Sequence, residues 1–344
     1  MIASFNTMEN KGHPLAELHA HIGASVDPWV MWTIAHAQGI KLPTKDYWEF
    51  EELITVSPDK PKKSLKDYLS ILHDVTEVIQ SSTFAMEQAT HDIIGEMYRT
   101  NNTTIVELRF NPMKRNRGGE QDLDHIIMAT LRGMDKALLE YPQVAAGIIF
   151  SLDRQFTYEQ NEIIAAKAIR YHRRGVVAID FANYGTGKFH FKDYQKLIEK
   201  CRLAGLRVTA HTGETTDTND MWEAVEFAKP DRIGHGIRAA HDKALMKELV
   251  KRDIILEVCP SSNLSTSAIK NIDELRFIIR TLVENKVKIT INTDGPKVVK
   301  GASLRHEFEL LRKHQILTDE QLETARKTAF EVSFVPKGGI DAYL

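Results

Sequence analysis

Short apolar, β-branched runs recur along this chain. Most are followed by a stretch in which apolar residues return every three or four positions. The runs lie near residues 15–19, 104–110, 145–151, 176–181, 206–210, 231–235, 254–258 and 287–292, the lengths of buried strands. Between them Asp122–Leu139, Asn161–Arg174, Lys192–Leu203, Asp220–Ala228, Asp242–Lys251 and Ile272–Asn285 carry the helical period. Gly175, Gly205 and Lys286 stand near the points where a helix gives way to a strand, as chain-reversing residues do. Alternating strands and helices predict a parallel sheet, and eight such units predict a (β/α)8 TIM barrel.

The first unit departs from this rhythm. A long insertion, about residues 25–102, separates the first two strands. Trp29–Gln38, Ser64–Gln80 and Ser82–Tyr98 read as helices, so a helical cap is expected over the barrel mouth, as a lid or as a wall that shapes the substrate site. Extra helices over Ser303–Gln315 and Thr318–Val332 are expected to close the fold. No repeat, low-complexity tract or linker interrupts the pattern, so residues 1–344 are expected to form a single domain.

Composition narrows the function classes. The 344 residues are 42% hydrophobic, enough for one large core or two modest ones. The net charge of −2 balances 45 basic against 47 acidic residues, which gives no reason to expect a nucleic-acid or membrane partner. No signal peptide or transmembrane span is read. Cys201 and Cys259 are too few for a disulfide framework, so a cytoplasmic location is expected, with both thiols packed as small hydrophobes and Cys259 behind the site.

Candidate chemistry sits at the ends of the apolar runs. His19 and His21 end the first, His211-Thr-Gly-Glu214 follows the fifth, Gly234-His235-Gly236 the sixth and Asn292-Thr-Asp294 the eighth. Side chains two apart on a strand share a face, so His19 and His21 can bind one ion. In a parallel barrel all these strand ends meet at the catalytic mouth. Three imidazoles and a carboxylate suit one zinc ion per chain, and a position left open lets the metal lower the pKa of water towards about 7. Glu214 can then donate a proton to a ring nitrogen, His235 can hold the attacking water or act as a further ligand, and Asp294 can accept a proton. The product chemistry is loss of ammonia from an aromatic amidine. A two-metal barrel hydrolase usually needs a modified lysine at the end of strand four, and Gly175–Ala182 contains no lysine.

Taken in order, His19-Ala-His21, Gly175–Ala182, His211-Thr-Gly-Glu214, Arg232-Ile-Gly-His235-Gly236, Glu257-Val-Cys-Pro-Ser-Ser-Asn263 and Asn292-Thr-Asp294 resemble the motifs of the adenosine deaminase family over most of the chain. The resemblance implies a zinc-bearing barrel with His19, His21, His211 and Asp294 as metal ligands. It makes Glu214 the proton shuttle and His235 the residue that orients water. It also exposes departures. Gly23 stands where the family often has an acid that contacts the ribose. Gly295 follows Asp294 where the family usually has a second aspartate facing a purine nitrogen, and Asn183 matches a family glycine whose backbone touches the purine. The expected activity is therefore hydrolytic deamination of an aminopurine nucleoside or related amino-heterocycle by a site with an altered substrate pocket.

Lys114, Arg115 and Arg117 follow strand two with two glycines and are read either as a solvated charge run or as a receiver for an acidic group on the substrate. Lys60, Lys62, Lys63 and Lys66 read as surface. Trp29, Met31 and Trp32 read either as an apolar substrate wall or as ordinary helix packing. Two rival functions remain at this point: a mononuclear zinc barrel that cleaves another C–N or lactone bond, and a ligand-binding homologue without turnover.

Overall fold

The computed structural model describes residues 12–57, 65–117, 122–184 and 188–336. Lys60, Lys62, Lys63 and the glycines at 118 and 119 fall outside these segments. Eight strands, β1 Leu15–His21, β2 Thr103–Phe110, β3 Ala145–Asp153, β4 Val176–Ala182, β5 Arg207–Thr212, β6 Arg232–His235, β7 Ile255–Val258 and β8 Ile289–Ile291, pair in sequence order. Every neighbouring pair is parallel. The sheet closes on itself at its carboxyl end, where Ala20 bridges Asp294. His21 N–H donates to Asp294 O and Asp294 N–H to His19 O, both at 2.8 Å. These bonds tie the end of β1 to the segment after β8.

The alternation on β1 sorts its side chains between two environments. Ala16 and Leu18 face outward and pack with Ala329, Phe330 and Val332 of the helix Asp319–Val332. Glu17 and His19 face the barrel interior and are fully buried. The outer helices bury one stripe each; Ile272–Glu284 buries Leu275, Ile278, Ile279 and Leu282 and starts at Asn271, whose side chain caps Glu274 N–H. Gly175, Gly205 and Lys286 hold φ of 110°, 98° and 63° at helix-to-strand junctions.

The insertion is helical but differs in detail from its expected pattern. Helices Pro28–Ala37 and Thr83–Asn101 lie close to the expected ranges. An additional helix, Tyr47–Ile54, was not legible, being only eight residues long. The expected helix over 64–80 breaks into Leu65–Ile71, a wider π-helical turn over Leu72–Thr76, and a short turn at Glu77–Ile79. Such turns insert a residue into the helical spiral and re-aim side chains, often at functional sites. Here His73 and Glu77 come together at 2.8 Å. Among the described residues no helix is long and apolar enough to cross a membrane.

Candidate active site at the carboxyl end of the barrel

His19, His21, His211 and Asp294 converge at the mouth. His21 Nε2 and His211 Nε2 are 3.1 Å apart. Asp294 Oδ1 lies 3.4 Å from His21 Nε2 and 3.6 Å from His19 Nε2. Two of the imidazoles are fixed from behind. Glu257 Oε2 sits 2.7 Å from His19 Nδ1, and Asp180 Oδ1 sits 3.0 Å from His211 Nδ1. A carboxylate only accepts, so each Nδ1 carries the proton and each Nε2 presents a lone pair. His19 Nε2 is buried with no hydrogen-bond partner. A bare buried lone pair beside other lone pairs is unfavourable unless a cation joins them. Nitrogens on one tetrahedral zinc, at about 2.0–2.1 Å, lie roughly 3.3 Å from each other, so the spacing fits a single ion.

The electrostatics keep these groups ready to ligate. Burial, aided by nearby Arg109 and His211, pushes His19 down to about 4. Burial also holds His21 well below its usual value, against the pull of Asp294. Both are therefore neutral, as metal ligands must be. Burial works against the charge of Asp294, but the nearby imidazoles of His19, His21 and His235 hold its carboxyl well below the ordinary range. Its Oδ2 accepts from Ser262 Oγ at 2.6 Å, which fixes the carboxylate plane.

Below these four residues lies a buried charged layer. Arg109 reaches Glu257 at 2.8 Å and Asp180 at 3.3 Å. Arg232 Nε reaches Glu257 at 2.7 Å, and its Nη2 pairs with Glu107. Burial opposes the charge of Glu257, yet the two guanidiniums hold it well below the usual carboxylate range. Gly234 leaves room for this packing, because a Cβ there would stand 2.9 Å from His19 Cε1.

Glu214 and His235 face each other beside the cluster, with Glu214 Oε2 3.7 Å from His235 Nε2. Thr266 Oγ1 donates to Glu214 Oε1 at 3.1 Å. Asn263 Nδ2 donates to His235 Nδ1 at 2.9 Å, which leaves a proton on Nε2. His235 is also near enough to the ligands to count with them: its ring and those of His19, His211 and the Asp294 carboxylate offer atoms within 4.8 Å of one another. His235, Asp294 and Asn183 all adopt left-handed backbone, with φ of 60°, 64° and 74°. Such geometry costs of order 1–3 kcal/mol per residue and clusters at functional sites.

Two adjoining cavities of about 70 Å³ each open here, sharing His21, Leu69, Leu72 and Asn183. One ends on His211, Glu214, His235 and Asp294. The other runs under the cap past Gly23 to Lys114 and Arg115. Larger cavities, of about 220 and 270 Å³, lie away from the ligand cluster.

The remaining expected substrate residues divide. Asn183 lines both cavities, but its amide is committed to Asp153, 3.1 Å from either oxygen. Asparagine tolerates left-handed backbone better than most residues, so it suits a position where a glycine would otherwise be favoured. Gly295 spends its N–H on Thr293 O at 2.7 Å. Lys114 pairs with Asp153 at 2.5 Å, Arg115 lies 3.3 Å from Glu77, and Arg117 donates to His73 O. Trp29, Met31 and Trp32 line neither cavity. Met31 is buried and Trp32 packs on Phe50 at 5.3 Å, so both belong to helix packing.

Sequence reasoning assigned no role to Glu257, Asp180, Arg109, Asn263 or Glu77. For the first three a signal existed, since a charge inside an apolar buried strand has to be paired. Glu77 had none, because its place depends on how the cap folds back.

The sequence profile described as "Adenosine deaminase" matches residues 14–342. The chain belongs to the adenosine deaminase family. Curated relatives in this family include the adenosine deaminases of Shewanella denitrificans, 28% identical over 95% of this chain and 96% of that protein, and of Clostridium kluyveri, 29% identical over 95% and 91%. The fold is similar to solved structures at lower identity. They include the adenine deaminase of Arthrobacter aurescens (TM-score 0.82, 21% identical, 94% of each chain) and the Arabidopsis N6-mAMP deaminase (0.79, 21%, 94% of each). A Burkholderia ambifaria amidohydrolase solved with bound Zn is also similar (0.79, 20%, 94% of this chain and 86% of that one). As a member of the adenosine deaminase family, the protein is a hydrolytic deaminase, a hydrolase acting on carbon–nitrogen bonds.

Proposed function

We propose that the protein uses one zinc ion, held by His19, His21, His211 and Asp294, to deaminate an aminopurine nucleoside or a related amino-heterocycle. The observation that carries this reading is the set of inward lone pairs, including the unpartnered Nε2 of His19, beside the facing Glu214 and His235. Zinc in this position supplies a water of lowered pKa. The residues of the chain do the rest. His235, its ring fixed by Asn263, orients the water towards the carbon that bears the amino group. Glu214 passes a proton to the adjacent ring nitrogen as the carbon–oxygen bond forms, and Asp294 takes a proton from the water. The carbon–nitrogen bond then breaks, and the amine leaves as ammonia after gaining a proton. Amine-bearing carbon plus water thus becomes a ring carbonyl plus ammonia.

Leu69 and Leu72 line both small cavities, which fall well below the roughly 300–1,000 Å³ of ordinary ligand sites. The cap helix carrying them has to shift for a purine to enter. The named relatives act on adenosine, adenine and N6-mAMP, which makes an aminopurine the first substrate class to test. Zinc-loaded protein should release ammonia from a member of a panel of adenosine, deoxyadenosine, adenine, AMP and N6-substituted analogues. Turnover of amides or lactones without ammonia release would overturn the reading.

A further inference from the structure

The cavity under the cap ends on a buried cation that the fold does not neutralise well. Arg115 is only 2% exposed, yet its Nε and Nη1 have no hydrogen-bond partner. Its Nη2 lies 3.3 Å from Glu77 Oε1, a long ion pair. Glu77 has a second claim on it, because His73 Nδ1 sits 2.8 Å from its other oxygen. A guanidinium offers five donors in a rigid fork matched to carboxylate and phosphate, and here most of the fork is unspent. Leaving such a group desolvated is costly unless an anion arrives.

The neighbouring cations are not equivalent. Lys114 is paired with Asp153, and Arg117 with His73 O. Of the three cations, Arg115 therefore stands out as the one with donors unsatisfied, and Asn111 Nδ2, also without a partner, lines the same cavity. The chain also clears space for it. A Cβ on Gly23 would come within 2.9 Å of Arg115 Nη2, so a side chain two residues after His21 would displace the guanidinium. The space beside Gly23 is filled by a cation carried on the turn Pro112–Arg115 after β2.

We propose that Arg115 is a specificity residue that binds a carboxylate or phosphate on the substrate, in the cavity that adjoins the metal cluster at His21 and Asn183. The proposal deepens the deaminase reading and rests on it for the reacting end of the substrate. Glu77 is the resident counter-ion, which orients the fork in the free enzyme and yields Arg115 to the incoming anion.

Binding and turnover separate the two ideas. Glu214→Gln protein loaded with zinc serves for calorimetric titration with adenosine, AMP and adenosine-5′-carboxylic acid. One of the two anions should bind about 10- to 100-fold tighter than adenosine, the scale of charge-assisted hydrogen bonds. Which anion wins tells phosphate from carboxylate. The preference should weaken with added salt. In Arg115→Gln the ratio of anionic to neutral affinity should collapse towards one, whereas Arg115→Lys should keep part of it. Equal binding of adenosine and both anions by the Arg115 protein would overturn the proposal. So would an anion preference that survives Arg115→Gln. Should Arg115→Gln fail to fold, the salt dependence and the Arg115→Lys ratio decide. Anion-selective binding without ammonia release from wild type would sink the deaminase reading and spare the Arg115 site.

Discussion

The two sides of the barrel mouth are built on different principles. On the metal side, every functional side chain described except His21 is backed by a buried partner: Glu257 behind His19, Asp180 behind His211, Ser262 behind Asp294, Asn263 behind His235 and Thr266 behind Glu214. These partners come from within β4 and β7 and from the short helix Pro260–Ser265 with its capping residue Thr266, so they are carried by the barrel itself. On the cap side, the lining comes from a broken helix, and Arg115 is left with donors to spare. Chemistry needs preorganised groups, while selection of a substrate needs groups whose needs the substrate completes. The first side is thus set for the reaction and the second for the choice of molecule.

Removing the proposed proton shuttle tests the metal side hardest. Glu214→Gln keeps the shape and the zinc, and should lower kcat by about 10²–10⁴-fold; near-normal kcat would move the shuttle elsewhere. Next in size is the support behind a ligand. Asp180→Asn removes the carboxylate that fixes His211 and should weaken zinc binding about 10–100-fold in a chelator competition. Unchanged affinity would mean that the barrel alone orients the ring.

Gly23→Ala probes the cap side. By crowding Arg115 Nη2 it should raise KM several-fold while kcat stays within a factor of about two. A fall in kcat with KM unchanged would erase the distinction between the two sides.

The smallest effect concerns the frame. Glu307 is buried, accepts from Ser261 N–H at 3.0 Å, and burial pushes its carboxyl up from 4.5 to about 7. A raised carboxyl binds its proton more tightly folded than unfolded. Its contribution to stability is thus greatest below pH 4.5, falls as the pH rises to 7, and is constant above. Glu307→Gln should flatten the decline of Tm over that window by a few degrees, as read by thermal melts from pH 4.5 to 8.

The same contrast explains what was legible before the structure. The eight strands and most outer helices follow from periodicity, because each element buries one face and shows it in its spacing. The residues proposed as ligands lie at or just beyond strand ends, where local order in the chain reports place in the barrel. The buried charges Arg109, Asp180 and Glu257 sit inside apolar strands and could have been flagged, but their pairing is set by the curvature of the closed sheet. Glu77 and the turn over Leu72–Thr76 were hidden. Their place depends on a cap packing against β2 and its loop, contacts between residues far apart in sequence. Three basic residues in one loop looked alike in sequence and differ in the fold by the partner each one meets: Asp153 for Lys114, Glu77 for Arg115 and the His73 carbonyl for Arg117.

The central claim is that a single zinc and the residues backed around it perform deamination. The most direct test strips the protein with a chelator, adds zinc back stepwise, and follows ammonia release from the best aminopurine of the panel. The account predicts no activity in the stripped protein and full recovery at one zinc per chain. A stripped protein that still releases ammonia, or a zinc-saturated one that releases none from any aminopurine, would contradict it.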